Sequence, residues 1–129
     1  MKRTMKRILI VDQHVEMRRA IRMTLRSVGH DAEIIEAADA ATALALARAL
    51  MPELVLTDVA LPGTMDGLGL CRALKAELTT RHIDIVIISA KVAPQDRAAG
   101  RHAGARAYLA KPFLSMDLVL ALDDIGATP

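Results

Sequence analysis

Asp12, Asp58, Ser89 and Lys111 are the residues of this chain best suited to chemistry, because each closes a short apolar run. Ile8-Leu9-Ile10-Val11 runs into Asp12, and Leu54-Val55-Leu56-Thr57 runs into Asp58. Ile85-Val86-Ile87-Ile88 runs into Ser89, and Ala107-Tyr108-Leu109-Ala110 runs into Lys111-Pro112. Two carboxylates, a hydroxyl and an ammonium gathered at one edge make a site for a hard cation and a phosphoryl group. Carboxylate oxygens suit the cation, and the ammonium and hydroxyl suit phosphoryl oxygens.

Such a gathering needs elements that end together. Unbroken apolar runs of this length suit strands buried on both faces, as in a parallel sheet. In an open parallel sheet the carboxyl ends of the strands share one edge, and ligands bind there. Helical patterns fill the intervals. Over about 14–28, Met17, Ile21, Leu25 and Val28 face inward and Arg18, Arg19, Arg22 and Arg26 outward, with Gly29 as the stop. Glu33-Ile34-Ile35-Glu36 is a short second strand, and 40–50 is dense in Ala and Leu before Met51-Pro52. Leu61-Pro62-Gly63-Thr64 reads as a loop. Further helices are expected over about 66–78, 94–102 and 115–124, with Ser115 as the N-cap of the last. The result is (βα)5, a doubly wound α/β fold with a five-stranded parallel sheet in the flavodoxin-like order 2-1-3-4-5. Asp12 and Asp58 then face each other across the switch point.

Composition narrows the function. The 129 residues fit one domain, with a core expected over about 6–125 and no second domain expected beside it. Hydrophobic residues are 53% and aromatics 2%, so the core is built from aliphatics, and a base-stacking surface has only Tyr108 and Phe113 to draw on. A net charge of +2, with basic pairs only at Lys2-Arg3 and Lys6-Arg7, argues against nucleic-acid binding. The single Cys71 excludes an intrachain disulfide and reads as a small buried hydrophobe. Neither a signal-peptide core nor a membrane span is present, so a cytoplasmic protein without membrane contact is expected. His30, His82 and His102 lack metal-ligand spacing, and His14, which follows the acidic position, reads as a solvated first-turn residue with contact to the edge as the alternative.

These motifs together resemble the receiver domain of bacterial two-component response regulators, of the single-domain, chemotaxis type. The resemblance spans nearly the whole chain. It rests on Ile10-Val11-Asp12, Thr57-Asp58, Leu61-Pro62 with Met65-Asp66-Gly67, Ser89-Ala90, and Tyr108 through Lys111-Pro112-Phe113. It implies a phosphorylation-dependent signalling switch, not a turnover enzyme. Asp58 would accept a phosphoryl group from a sensor histidine kinase or phosphotransfer protein. Mg²⁺ would be held by Asp12, Asp58 and the backbone carbonyl of Ala60. Lys111 and Ser89 would contact the phosphoryl oxygens, and Ser89 and Tyr108 would form the switch. Lys111-Pro112 would hold a strained turn, with a cis peptide bond as one form of it. The first helix commonly docks the kinase in this family, which makes Arg18 and Arg22 candidate partner contacts. Output would go by contact with a downstream protein through the last helix and the Tyr108 strand. Leu118, Val119, Leu120 and Leu122 carry slightly more apolar surface than one buried stripe needs, which admits a homodimer.

Three departures from the family pattern stand out. The usual second acidic residue after the first strand is Gln13, which offers an oxygen without charge, so weakened Mg²⁺ binding is expected, with Asp12 compensating. The loop after Asp58 is one residue longer than is common. Ala60 and Lys91 occupy the positions that tune phosphoaspartate hydrolysis, and alanine cannot position a water, so slow self-dephosphorylation is expected. The alternative is a receiver whose site no longer works and which acts as a phosphorylation-independent interaction module. A phosphate-ester hydrolase would want a second aspartate where His14 stands, and a flavin carrier would want a stacking aromatic.

Overall fold

The computed structural model describes residues 3–129. Five strands, β1 Arg7–Val11, β2 Glu33–Ala37, β3 Leu54–Thr57, β4 Asp84–Ser89 and β5 Ala107–Ala110, form one parallel sheet in the order β2-β1-β3-β4-β5. Five helices separate and follow them: α1 Val15–Ser27, α2 Ala40–Leu50, α3 Gly67–Ala76, α4 Pro94–Ala103 and α5 Ser115–Asp124. The expected doubly wound topology is thus present, and boundaries differ by a few residues at most.

The apolar runs are unbroken because alternate residues of each strand enter different cores. Leu9, Val11, Val55, Ile85 and Ile87 pack with Ala40, Ala43, Ala47, Leu70 and Leu74 of α2 and α3. Ile8, Ile10, Leu54, Leu56, Val86 and Ile88 pack with Ile21 and Leu25 of α1 and Leu118 and Leu122 of α5. Each fully buried Ile, Leu or Val contributes about 1.5–3 kcal/mol of transfer free energy, offset by the conformational entropy of the ordered chain.

Local signals set the helix ends. Asp39 accepts a hydrogen bond from Thr42 N at 2.7 Å, and Asp66 accepts one from Gly69 N at 2.8 Å, each satisfying an orphan N–H at a helix start. Met51 ends α2 in the left-handed conformation (φ 50°), and Pro52 prevents resumption. The expected N-cap at Ser115 is displaced by one residue. Leu114 is the N-cap and Ser115 is already helical. The backbone N–H of Leu114 donates to Asp117 Oδ2 at 2.8 Å, so Asp117 secures this terminus.

A short parallel pairing of Arg3–Thr4 with Ala127–Thr128 adds a second, two-stranded sheet that the sequence pattern did not signal. Of the basic pair Lys2-Arg3, Lys2 lies outside the described residues. Among the described residues, no helix is long and apolar enough to cross a membrane.

Candidate functional site

Strand register creates the site. Val11 stands opposite Thr57 across the β1–β3 pair, so the next residues, Asp12 and Asp58, leave the sheet side by side. Ser89 stands opposite Ala110 at the end of β4 and β5, and Lys111 follows directly. Lys111 reaches back over this edge. Its Nζ donates to Asp12 Oδ2 and to Asp58 Oδ2, each at 2.7 Å. The two carboxylates are 2% and 8% exposed, and the lysine side chain 15%. One ammonium therefore neutralises half of a buried pair of negative charges. Burial pulls the Lys111 ammonium down, but the hydrogen bonds and charges of Asp12 and Asp58 outweigh it, and the pKa ends above its ordinary value.

Each carboxylate is held from a second direction. Asp12 Oδ1 accepts from the His14 backbone N–H at 2.8 Å, with the exposed His14 ring 3.3 Å away. Asp58 Oδ1 accepts from Val59 N at 2.6 Å and Ala60 N at 3.3 Å. This leaves Oδ2 of both residues turned to the same point. The backbone around them is equally fixed. Asp12 N donates to Ala37 O at 3.1 Å, and Arg18 donates to the Asp12 carbonyl at 2.7 Å. The Thr57 hydroxyl donates to the Asp58 carbonyl at 2.9 Å.

Arg18 departs from its expected place on the solvent face of α1. Its side chain is 15% exposed and pairs with Glu36 at 2.8 Å as well as with the Asp12 carbonyl. The pull of a carboxylate on β2 and a carbonyl at the end of β1 draws the guanidinium in, and periodicity alone cannot register either. Arg22 pairs with the same Glu36 from farther out.

Gly67 is a site residue that the sequence reading treated only as part of a motif. Its N–H donates to Val59 O at 2.8 Å, and a Cβ there would lie 1.9 Å from the Asp58 carbonyl oxygen. The start of α3 thus rests on the backbone of Asp58, and only glycine permits that approach.

On the other side, Ser89 is buried, and its Oγ accepts from Lys91 N at 3.1 Å. The carbonyl of the same Lys91 accepts the hydroxyl of Tyr108. One residue of the β4–α4 loop therefore links the site hydroxyl to the tyrosine. The Lys111–Pro112 peptide bond is cis, and Lys111 N donates to Ser89 O at 2.9 Å. Asp12, Asp58, Ser89 and Lys111 are thus gathered at the sheet edge, and Tyr108 connects to them through the loop.

Hard-cation donors are present in kind. Asp12 and Asp58 offer carboxylate oxygens, and Ala60 a carbonyl, toward which Gln13 Nε2 points at 3.4 Å. Among the described residues no group of three or more His, Cys, Asp and Glu side chains could enclose a metal. Two carboxylates and a carbonyl nevertheless fit Mg²⁺, which keeps several waters and binds through one or two carboxylates. Cys71 is fully buried in the core between the sheet and α2 and α3, and burial pushes its thiol up to about 12.

Comparison with known proteins agrees with this geometry. The chain is 42% identical over 107 residues to the response regulator PleD of Caulobacter vibrioides, covering 83% of this chain and 23% of PleD. It therefore spans less than a quarter of that relative's length. A putative response regulator from Chloroflexus aurantiacus superposes with a TM-score of 0.85 at 32% identity, over 93% of this chain and 96% of that one. The receiver domain of the sensor histidine kinase PA1611 from Pseudomonas aeruginosa, whose structure has a magnesium ion coordinated in the active site cleft, superposes with a TM-score of 0.81 at 29% identity, over 95% of this chain and 98% of that one. Residues 8–123 match the family model of the response regulator receiver domain. A parallel sheet in this order, an edge carrying these four residues and a family match over nearly its whole length make this chain a member of the response regulator receiver domain family.

Proposed function

We propose that the chain works as a single receiver domain that takes a phosphoryl group onto Asp58 from a phosphohistidine of a sensor kinase or phosphotransfer protein, and signals by contact with a downstream protein. The observation that carries this reading is the Lys111 ammonium, 2.7 Å from both Asp12 and Asp58. Phosphoryl transfer is mostly positioning and charge stabilisation, and a fixed cation beside a buried carboxylate supplies both.

The step breaks the P–N bond of the donor and forms a P–O bond to Asp58, and the leaving imidazole keeps the bonding electron pair and takes a proton from solvent. Val59 and Ala60 N–H anchor Oδ1 of Asp58, which leaves Oδ2 to meet phosphorus. Lys111 then pairs with the phosphoryl oxygens, and the Ser89 hydroxyl, which accepts from Lys91 N–H, turns its own O–H to donate to one of them. Asp12, Asp58 and the Ala60 carbonyl would hold Mg²⁺, and a cation there would supply neutralisation of charge on the transferring group. Gln13 contributes at most a neutral oxygen there, so affinity for the ion is below that of a site with two acids after β1. Ala60 holds no water for attack on the phosphoaspartate, so the adduct decays slowly. The Ser89–Lys91–Tyr108 chain of hydrogen bonds couples that movement of the hydroxyl to the inward-held ring of Tyr108, and the β5–α5 side of the molecule carries the change outward.

The test is intact mass after incubation with acetyl phosphate, in Mg²⁺ and in EDTA, for the wild type and Asp58→Ala. A single phosphoryl adduct that needs both Mg²⁺ and Asp58 is the expected result. No adduct from acetyl phosphate or from a phosphorylated histidine-kinase donor would refute it and favour the phosphorylation-independent module, a reading that Gln13 supports.

A further inference from the structure

Tyr108 is held from three sides, and two of the holding residues belong to α4. Its ring lies in a slot between β4 and α4. A Cβ added at Gly100 would come 2.8 Å from Tyr108 Cδ2, 3.0 Å from its Cε2 and 3.0 Å from Ile87 Cδ1. The slot exists because residue 100 has no side chain, even though glycine in a helix interior costs about 1 kcal/mol against alanine. The guanidinium of Arg97, one turn earlier, lies 5.4 Å from the ring centroid, in cation–π range. The same group donates to Tyr108 O at 3.2 Å and to Val92 O at 3.3 Å. It therefore ties β5, the β4–α4 loop and the ring together. The third hold is the Tyr108 hydroxyl on the Lys91 carbonyl.

We propose that Arg97 and Gly100 are positioning residues that clamp the Tyr108 ring in its slot and so set how readily it leaves. The chemistry fits a clamp. A cation–π contact is lost as soon as the ring turns away, whereas the backbone bonds of Arg97 persist and keep the guanidinium in place for its return. Gly100 sets the depth of the slot and Arg97 its closure. The clamp itself depends only on these contacts. Its role in tuning signal output rests on the phosphorylation reading above.

The chain contains one tyrosine and no tryptophan, so intrinsic fluorescence reports on Tyr108 alone. Acrylamide quenching of unphosphorylated wild type, Arg97→Met, Arg97→Lys and Gly100→Ala measures how exposed the ring is. Arg97→Met should lower the ratio of inward to outward ring about fivefold, the worth of one exposed cation–π contact, and raise quenching. Gly100→Ala should raise quenching at least as much, because its methyl occupies the slot while favouring the helix. Arg97→Lys keeps a cation over the ring and should restore part of the protection. Unchanged quenching in both Arg97→Met and Gly100→Ala, with the fold intact by circular dichroism, overturns the clamp even if their melting temperatures fall. Phosphoryl uptake by mass separates the two readings. An adduct with unchanged quenching would leave phosphorylation standing and remove the clamp. Altered quenching in a protein that takes no phosphoryl group would do the reverse.

Discussion

Replacing Lys111 by methionine isolates what its ammonium does. The substitution keeps an unbranched apolar stem and removes the charge that bridges Asp12 and Asp58 at 2.7 Å from each. Two carboxylate oxygens each 2.7 Å from one nitrogen lie at most about 5.4 Å apart, and two unit charges at that separation repel by about 3 kcal/mol at an effective dielectric of about 20. Breaking a buried ion pair by removing one partner costs a similar 3–5 kcal/mol. The variant should therefore lose about 3 kcal/mol in urea unfolding, and its melting temperature should fall on the order of 10 °C for a domain of this size. Added Mg²⁺ should restore more stability to Lys111→Met than it adds to the wild type, because a bound cation then replaces the missing one. A variant that unfolds within about 0.5 kcal/mol of the wild type, a typical surface effect, and ignores Mg²⁺ would refute the reasoning. It would mean that the carboxylates do not depend on the lysine. In the wild type the sign with pH follows from the raised Lys111 pKa. Its stabilising contribution is fully present below the ordinary 10.5 and is lost as pH rises through the higher folded value.

Other outcomes follow from contacts away from the lysine. Gly67→Ala places a methyl 1.9 Å from the Asp58 carbonyl, and the backbone shift should cost about 1–3 kcal/mol in chemical unfolding and slow phosphoryl uptake by Asp58. His30 is held below its ordinary 6.5, chiefly by burial, with Asp123 opposing. The unfolded chain then binds more protons, so stability should fall as pH drops below 6.5, and His30→Gln should flatten that part of the pH profile. Cys71, with its thiol pushed up to about 12, should resist a thiol reagent in the native protein and react on unfolding. Rapid labelling under native conditions would show that α3 opens far more readily than its packing implies.

The sheet was legible in the sequence because both of its faces are covered. A strand whose alternate residues enter two cores reads as an unbroken apolar run, and the residue closing each run marks the edge. Asp12, Asp58, Ser89 and Lys111 were found that way, and the Val11–Thr57 register then places the two acids side by side. The rest depended on partners distant in sequence. Arg18 obeys the polar spacing of α1, yet Glu36 and the Asp12 carbonyl draw it inward. Asp117 secures the start of α5 although Ser115 carries the better capping hydroxyl. Gly100 looks like a weak point in an Ala-rich helix until the Tyr108 ring is seen against it. The terminal pairing involves two residues on each side, too few for a periodic signal.

The division of the core by the sheet has an evolutionary consequence. Leu9 and Val11 answer to α2 and α3, whereas Ile8 and Ile10 answer to α1 and α5. Substitutions on opposite sides share few neighbours, so their effects should combine nearly independently, while those on one side should couple. Sequence drift can then repack one layer of helices while the other stays as it was. The acids sit one step beyond the shared wall and keep their places under changes on either side. A lineage can in this way acquire a new docking face without redesigning the edge where the chemistry is set.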